Sequence, residues 1–434
     1  MTAEAPAGLA PAPRSRAATV QTIRFADGAA EAWLVEDYAV PIVALAFSFE
    51  GGAAQDPAGK AGAANLMASL LDEGAGDLDD AAFHRALDDK AIEISFSAER
   101  DVLRGNLRTL AKNLDAAVEL MRLAVNAPRF DQGPLDRVRS QIAAGLKREA
   151  NDPDARAAKA WREAAYPGHP YGEPAHGSLE SIARVAREDL VALRAASFSR
   201  DGLKVALVGA VDAARARALL EAIFASLPAT GGLKPVADAE MSGLGRRVLV
   251  DIDLPQSTIR FGAPGVRRRD ADYEAASLVN HILGGGVFSA RLFKEVREKR
   301  GLAYSVHSQL ATAEHAAMFV GATTTKNERA AESLSVIEAE IARMAKDGPS
   351  EDELAKAKAY LVGSYPLRFD SSTKIAAQLL TLQQEGFSPA YLDERNARIE
   401  AVTMADARRV AARLFGGGEL LVAVAGRPAG IDAR

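Results

Sequence analysis

The sequence predicts an α+β protein of two homologous domains, each a largely antiparallel sheet with helices packed on one side. Three observations predict it. Short runs with strand-like alternation are interleaved with runs of helical periodicity along the chain. The order of these runs in the first half recurs in the second. VALAFSFEGG near Val43 is answered by STIRFGAPG near Ser257, and PLDRVRSQIAAGL by SEDELAKAKAYLVGS, with offsets of 214 (257 − 43) and 219 (354 − 135). Between the copies lies PATGGLKPVADAEMSGLGR, residues 228–246, polar and rich in Gly and Pro as domain linkers are. The domains therefore span 20–227 and 247–434, after an Ala- and Pro-rich lead-in, residues 1–19, that reads as disordered.

In the first copy, residues 20–25 and 31–35 read as strands joined by an Asp27-Gly28 turn. A largely apolar strand, 42–50, ends at Gly51-Gly52 and is followed by helices at about 61–71 and 79–90. Residues 92–98 and 102–107 form a hairpin. Residues 110–126 form an amphipathic helix through Leu114, Val118, Leu120, Met121 and Val125. Pro134 opens a long helix to about 150, which Asn151-Asp152-Pro153 interrupts. A helix through Trp161 leads to the turn-rich YPGHPYGEPAHG; a helix over 188–198 and a buried strand over 204–209 close the copy.

In the second copy the stretch NHILGGGVFSARLFKEVREKRGLAYSV, residues 280–306, stands out. A helix over about 271–283 is broken by Gly284, Gly285 and Gly286, because consecutive glycines lose most on being held helical. Ser289 reads as the N-cap of a second helix with Leu292, Phe293 and Val296 on its apolar face. Lys294, Glu295, Arg297, Glu298 and Lys299 fall on its polar face, and Gly301 ends it. A strand then runs over 303–309. The glycines are no dinucleotide fingerprint, since a helix rather than a strand precedes them. Strands at about 303–309 and 317–323, a helix over 328–347, a last helix over 403–414 and a strand over 420–425 complete the repeat.

The composition, 48% hydrophobic and 26% charged over 434 residues, is that of a globular protein. A net charge of −5 (53 − 58) without long blocks of one sign argues against nucleic acid as partner. No apolar run is long enough for a membrane-spanning helix. The absence of cysteine excludes disulfides and thiolate sites. No two of His84, His169, His176, His281, His307 and His315 stand at i, i+4 on a helix, so no metal is expected in this chain. The lead-in lacks the apolar core of a signal peptide. A bacterial protein is expected, periplasmic if a signal peptide has been removed and cytoplasmic otherwise.

The glycine loop, the run RLFKEVREKRGLAY and the following strand resemble the second half of the pitrilysin/insulinase family of zinc peptidases, the inverzincins, which include mitochondrial processing peptidase. The resemblance extends over most of the chain and implies two facing domains across a cleft. It also implies an Arg/Tyr pair, Arg297 and Tyr304 here, that reaches the zinc site of the other half. Active members carry H-x-x-E-H on the helix after the glycine-ended strand, with two histidines and a distant glutamate on zinc and the motif glutamate as general base. Here Asn65 matches the first histidine, Ala68 the glutamate, Ser69 the second histidine and Gly145 the distant ligand. All four have lost the chemistry.

The resemblance therefore implies a non-catalytic subunit, inactive alone. It would form a heterodimer with an H-x-x-E-H chain that carries zinc, and the pair would act on peptides. Gly284 to Gly286 either let an extended peptide approach or serve as a connector. The alternative is an inactive scaffold or peptide-binding homologue without a peptidase partner.

Overall fold

A computed structural model of the chain describes residues 19–26, 28 and 30–434. The expected lead-in, apart from Thr19, and Asp27 of the expected turn lie outside the described residues. Among the described residues the chain forms eleven strands. They are β1 (Gln21–Phe25), β2 (Ala30–Glu36), β3 (Ile42–Glu50), β4 (Glu93–Ala98), β5 (Val102–Leu110), β6 (Lys204–Gly209), β7 (Arg247–Val250), β8 (Gln256–Pro264), β9 (Ala303–Thr312), β10 (Ala317–Lys326) and β11 (Leu421–Ala425).

They build two sheets, ordered β1-β2-β6-β3-β5-β4 and β7-β11-β8-β10-β9. Without β1, the two orders are the same. Each sheet is antiparallel except for one pair, β2 with β6 and β7 with β11. The fold is thus α+β and duplicated. Packing repeats with it. Phe47 lies directly across from Gly105, and Phe261 from Gly321. In each pair a Cβ on the glycine would sit 2.1–2.2 Å from the ring, so the phenylalanine covers a strand that must be bare there. Phe47 and Phe261 anchor the two main cores.

Each main core lies between a sheet and the helices of its own domain. The sequence places helices on that side alone; the opposite faces are covered too, each by a helix from the other domain. The helix Ser372–Gln384 of the second domain packs on β3 and β6, where Ile375, Leu379 and Leu380 meet Trp33, Val35, Ala44, Ala46, Ala206 and Val208. The helix Pro153–Ala165 of the first domain packs on β8 and β11, where Trp161 and Ala165 meet Leu421 and Ala423. The Trp161 indole N–H donates to the Leu421 carbonyl at 3.0 Å, and its ring fills the space a side chain at Gly262 would need. Burial on both faces explains why β3, β6 and β11 read as continuous apolar runs.

Residues 228–246 contain no helix or strand but are tied down. Lys234 exchanges two hydrogen bonds with Gln55, and Ala239 N–H donates to His315 O. Four α-helices have no counterpart in the sequence expectations: Leu179–Ala183, Ala213–Phe224, Ser372–Gln384 and Tyr391–Ala401. Among the described residues no helix is long and apolar enough to cross a membrane.

Candidate functional site

The stretch 280–306 departs from the sequence expectation in its winding. The helix Tyr273–Asn280 continues through a π turn, His281–Gly285, that contains Gly284 and Gly285 instead of stopping before them. A 3-10 turn, Val287–Ser289, follows, and the next helix is π-wound over Phe293–Glu298. Bonds from Gly286 N to His281 O and from Lys299 N to Lys294 O have the five-residue span of that winding. Ser289 is not the expected N-cap. Its hydroxyl donates back to Gly286 O at 2.9 Å, and Ala290 holds the extended backbone between the two helical stretches. Glu295, expected on the polar face, is buried, because π winding rotates it inward. Lys299 at 2.6 Å and Arg300 at 2.7 Å hold its carboxyl below the usual range.

Gly284 is buried against β9. A Cβ there would meet Ser308 Oγ at 2.3 Å and Ser308 N at 2.8 Å. Ser308 is held in turn by buried Asn280, whose Oδ1 accepts from its hydroxyl at 2.8 Å. This is a packing role, and it differs from the peptide contact considered for the glycines. Gly285 is exposed and Gly286 half-buried. The loop tip beyond them is Val287, in the left-handed region at φ 46°, and Phe288, both exposed.

Tyr304 projects outward because β9 is bulged. Thr323 pairs with Val306 and Thr325 with Ala303, so β9 carries one more residue than β10 between those points. Thr323 Oγ1 donates to Ser305 O at 2.9 Å and Thr325 Oγ1 to Leu302 O at 2.6 Å, which pins the bulge on both sides. Simple alternation would put Tyr304 on the buried face with Val306 and Ser308; instead it is 82% exposed. The Arg297 guanidinium lies 4.4 Å from the Tyr304 ring and 4.8 Å from the Phe293 ring. Phe288 meets Phe293 edge-on at 5.1 Å. Among the described residues the Arg297 side chain makes no ion pair or hydrogen bond, and neither does the Tyr304 hydroxyl. The structure thus brings together the two groups that the sequence singles out and presents their donors unspent.

The degenerate positions lie in the first domain. The expected helix 61–71 shortens to Ala63–Ala68. Asp56 holds its start, accepting from Gly62 N at 2.6 Å and Ala64 N at 2.7 Å; burial raises this carboxyl to about 6 despite those bonds. Asn65 is half-buried, Ala68 is buried, and the Ser69 hydroxyl is spent on Asn65 O at 2.9 Å. The helix touches Gln132–Glu149, which carries Gly145. A Cβ at Gly145 would meet only the tip of Arg148 at 3.9 Å, so packing does not demand glycine there. An amide, a methyl, a bonded hydroxyl and a bare backbone do not fit zinc. Among the described residues no group of three His, Asp or Glu side chains is placed to hold a metal ion.

A pocket of about 630 Å³, lined by the first domain except for Val250 of the second, was not foreseen. Its walls include Arg100, Arg156 and Arg162 of the first domain and Val250 of the second. Arginines on an amphipathic helix read as a solvated face, so the sequence carries no signal for it.

Comparison with known proteins follows the duplication. Residues 33–178 match the family model described as insulinase (peptidase family M16), and residues 184–361 match the peptidase M16 inactive domain. The chain is 27% identical over 334 residues to the non-peptidase homolog YmxG of Helicobacter pylori, covering 77% of each protein. It is 28% identical over 369 residues to an uncharacterized zinc protease of Mycobacterium tuberculosis, covering 84% of each. It also matches, at 24% identity over 238 residues, a probable inactive metalloprotease of Bacillus subtilis, covering 55% of each. Its fold superposes on a peptidase M16 inactive domain from Pseudomonas fluorescens with a TM-score of 0.88, 27% identity and coverage of 96% and 99%. A protease from Helicobacter pylori superposes at 0.85 with 18% identity, covering 94% and 99%.

Proposed function

Given that the chain belongs to the peptidase M16 (insulinase) family, we propose that it is the non-catalytic subunit of a two-chain zinc peptidase. It places Arg297 and Tyr304 at the metal site of an H-x-x-E-H partner. The observation that carries the proposal is the outward, unpaired Arg297–Tyr304 couple on a pinned bulge. Both sets of donors face solvent and are spent on no neighbouring side chain among the described residues, which leaves them available to a ligand.

The partner's zinc would activate water and polarise the scissile carbonyl. Peptide hydrolysis puts negative charge on that carbonyl oxygen as the tetrahedral state forms. The Tyr304 hydroxyl, a neutral donor, then hydrogen-bonds the oxyanion more strongly than the ground-state carbonyl, which lowers the barrier. Arg297 holds the Tyr304 ring by its face and offers N–H donors to a backbone carbonyl or carboxylate of the peptide. Extended peptide has a free strand edge to pair with at β4 and at β9. In the assembled enzyme, Tyr304→Phe should lower kcat about 100-fold or more and leave co-purification with the partner unchanged. Unaltered turnover would remove the role.

A second reading is a scaffold or peptide-binding homologue without a peptidase partner. It draws on the names non-peptidase homolog and probable inactive metalloprotease carried by two relatives. It predicts no gain of cleavage with any H-x-x-E-H chain from the same genome.

A further inference from the structure

Arg162, on the helix Pro153–Ala165, is half-buried in the wall of the pocket that Val250 borders, with its Nε fully covered and unbonded. Among the described residues it has no ion-pair partner. Burial disfavours its charge, and so do the guanidiniums of Arg100 and Arg260, which face it; Glu163 and Glu149 act the other way. Neither acid comes within ion-pair distance, and both are engaged elsewhere, Glu163 with Lys159 at 3.8 Å and Glu149 with His176 at 4.0 Å. Arg100 is turned to the Pro170 carbonyl at 2.8 Å and Arg260 to Asp154 at 2.7 Å. Arg156, six residues earlier on the same helix and also in the lining, makes no side-chain hydrogen bond or ion pair among the described residues, although its charge is felt by Asp251.

An unpaired, desolvated charge is costly and is found where a ligand completes it. The geometry points to a carboxylate-binding site. We propose that Arg162, seconded by Arg156, takes the C-terminal carboxylate of a short extended peptide in this pocket. A planar guanidinium fork matches a carboxylate in two parallel hydrogen bonds. With Glu149, Glu163 and Glu180 set against Arg100, Arg156, Lys159 and Arg162, the lining carries a net charge of +1 (4 − 3), which suits a singly charged anion better than a phosphate-like dianion. Ala155, Ala158 and Ala160 keep the wall low. The volume falls within the range of roughly 300–1,000 Å³ that takes small organic ligands. Only the peptide nature of the ligand rests on the proposed function. The site itself belongs to this chain alone.

The test is fluorescence polarisation with this chain by itself, so its failure is read separately from failure of the two-chain peptidase. The probe is a pool of mixed-sequence pentapeptides carrying fluorescein at the N-terminus. It is used in three forms: free C-terminus, C-terminal amide, and amide with one internal aspartate. The free acid should bind at least about tenfold more tightly than either amide. Arg162→Gln should erase that preference with an unchanged or higher Tm, because it removes an unpaired charge. Arg156→Gln should weaken it in the same direction. Equal binding of acid and amide, or a preference retained by Arg162→Gln, overturns the site. Binding of the aspartate peptide as tightly as the free acid overturns the terminal assignment. No binding of any form overturns the proposal.

Discussion

Gly284 marks where the candidate site meets the core. Its α-carbon faces Ser308 so closely that even a methyl group collides with the strand backbone. Gly284→Ala should therefore destabilise the protein by about 1–3 kcal/mol, the cost typical of overpacking, measured by urea denaturation. A change below about 0.5 kcal/mol would mean that the loop is free of β9. The same residue shows what was legible in the sequence. The glycine run, Arg297 and Tyr304 are visible as letters. Their jobs depend on partners far along the chain, such as Ser308 for Gly284 and Thr323 and Thr325 for Tyr304. Alternation alone turns Tyr304 inward. One extra residue in β9 turns it out, and no local signal announces that residue.

At the scale of elements, the helix bearing Arg297 is fastened by its first turn. Arg291 forks onto Glu353 at 2.7 Å and 2.6 Å and also donates to Gly348 O at 3.0 Å. Glu353 closes the capping box of the helix Glu351–Gly363 by accepting from Ser350 N at 2.8 Å. Burial opposes the charge on Glu353, but the Arg291 fork and the Ser350 N–H outweigh it and hold the carboxyl down to about 2. A carboxyl whose pKa is lower folded than unfolded stabilises the fold above its unfolded value, near 4.5. That stabilisation is lost as pH falls toward 2. Glu353→Gln should thus be less stable than the parent at pH 7 by about 1–2 kcal/mol, below the full value of the shift because the pair is partly screened by solvent, with the gap narrowing between about pH 4.5 and 2. Denaturant titrations across that range decide it, and a gap independent of pH contradicts the assignment. Helix positions were mostly legible from apolar periodicity and from prolines, as the break at Asn151-Asp152-Pro153 illustrates. The π winding was not, because one residue per turn shifts the face on which a periodicity argument relies, and Glu295 moved inside with it.

At the scale of the molecule, the two domains are braced by exchanged helices. The duplication was legible because both copies keep the order and spacing of their strands: β3 and β8, nine residues each, start 214 apart (256 − 42). The exchange was not, since a helix's apolar stripe does not say whose sheet it covers. Trp33 and Trp161, the two tryptophans, sit one at each exchanged contact. The variants Trp33→Phe and Trp161→Phe leave one reporter each. Because neither sheet can keep its second face covered alone, the two should report the same unfolding midpoint once each variant's own stability change is measured by circular dichroism. Separate midpoints for fluorescence and circular dichroism in either variant would show that the domains unfold independently.

Whether this chain completes a peptidase site it cannot form by itself is decided by one comparison. Peptide cleavage and zinc content are measured for this chain alone, for an H-x-x-E-H homologue from the same genome alone, and for the two mixed. Cleavage is expected in the mixture, with zinc in the homologue and none in this chain, and that cleavage should be lost when the chain carries Tyr304→Phe. Cleavage with stoichiometric zinc in this chain alone, or cleavage by the homologue that this chain does not raise, would contradict the two-chain reading.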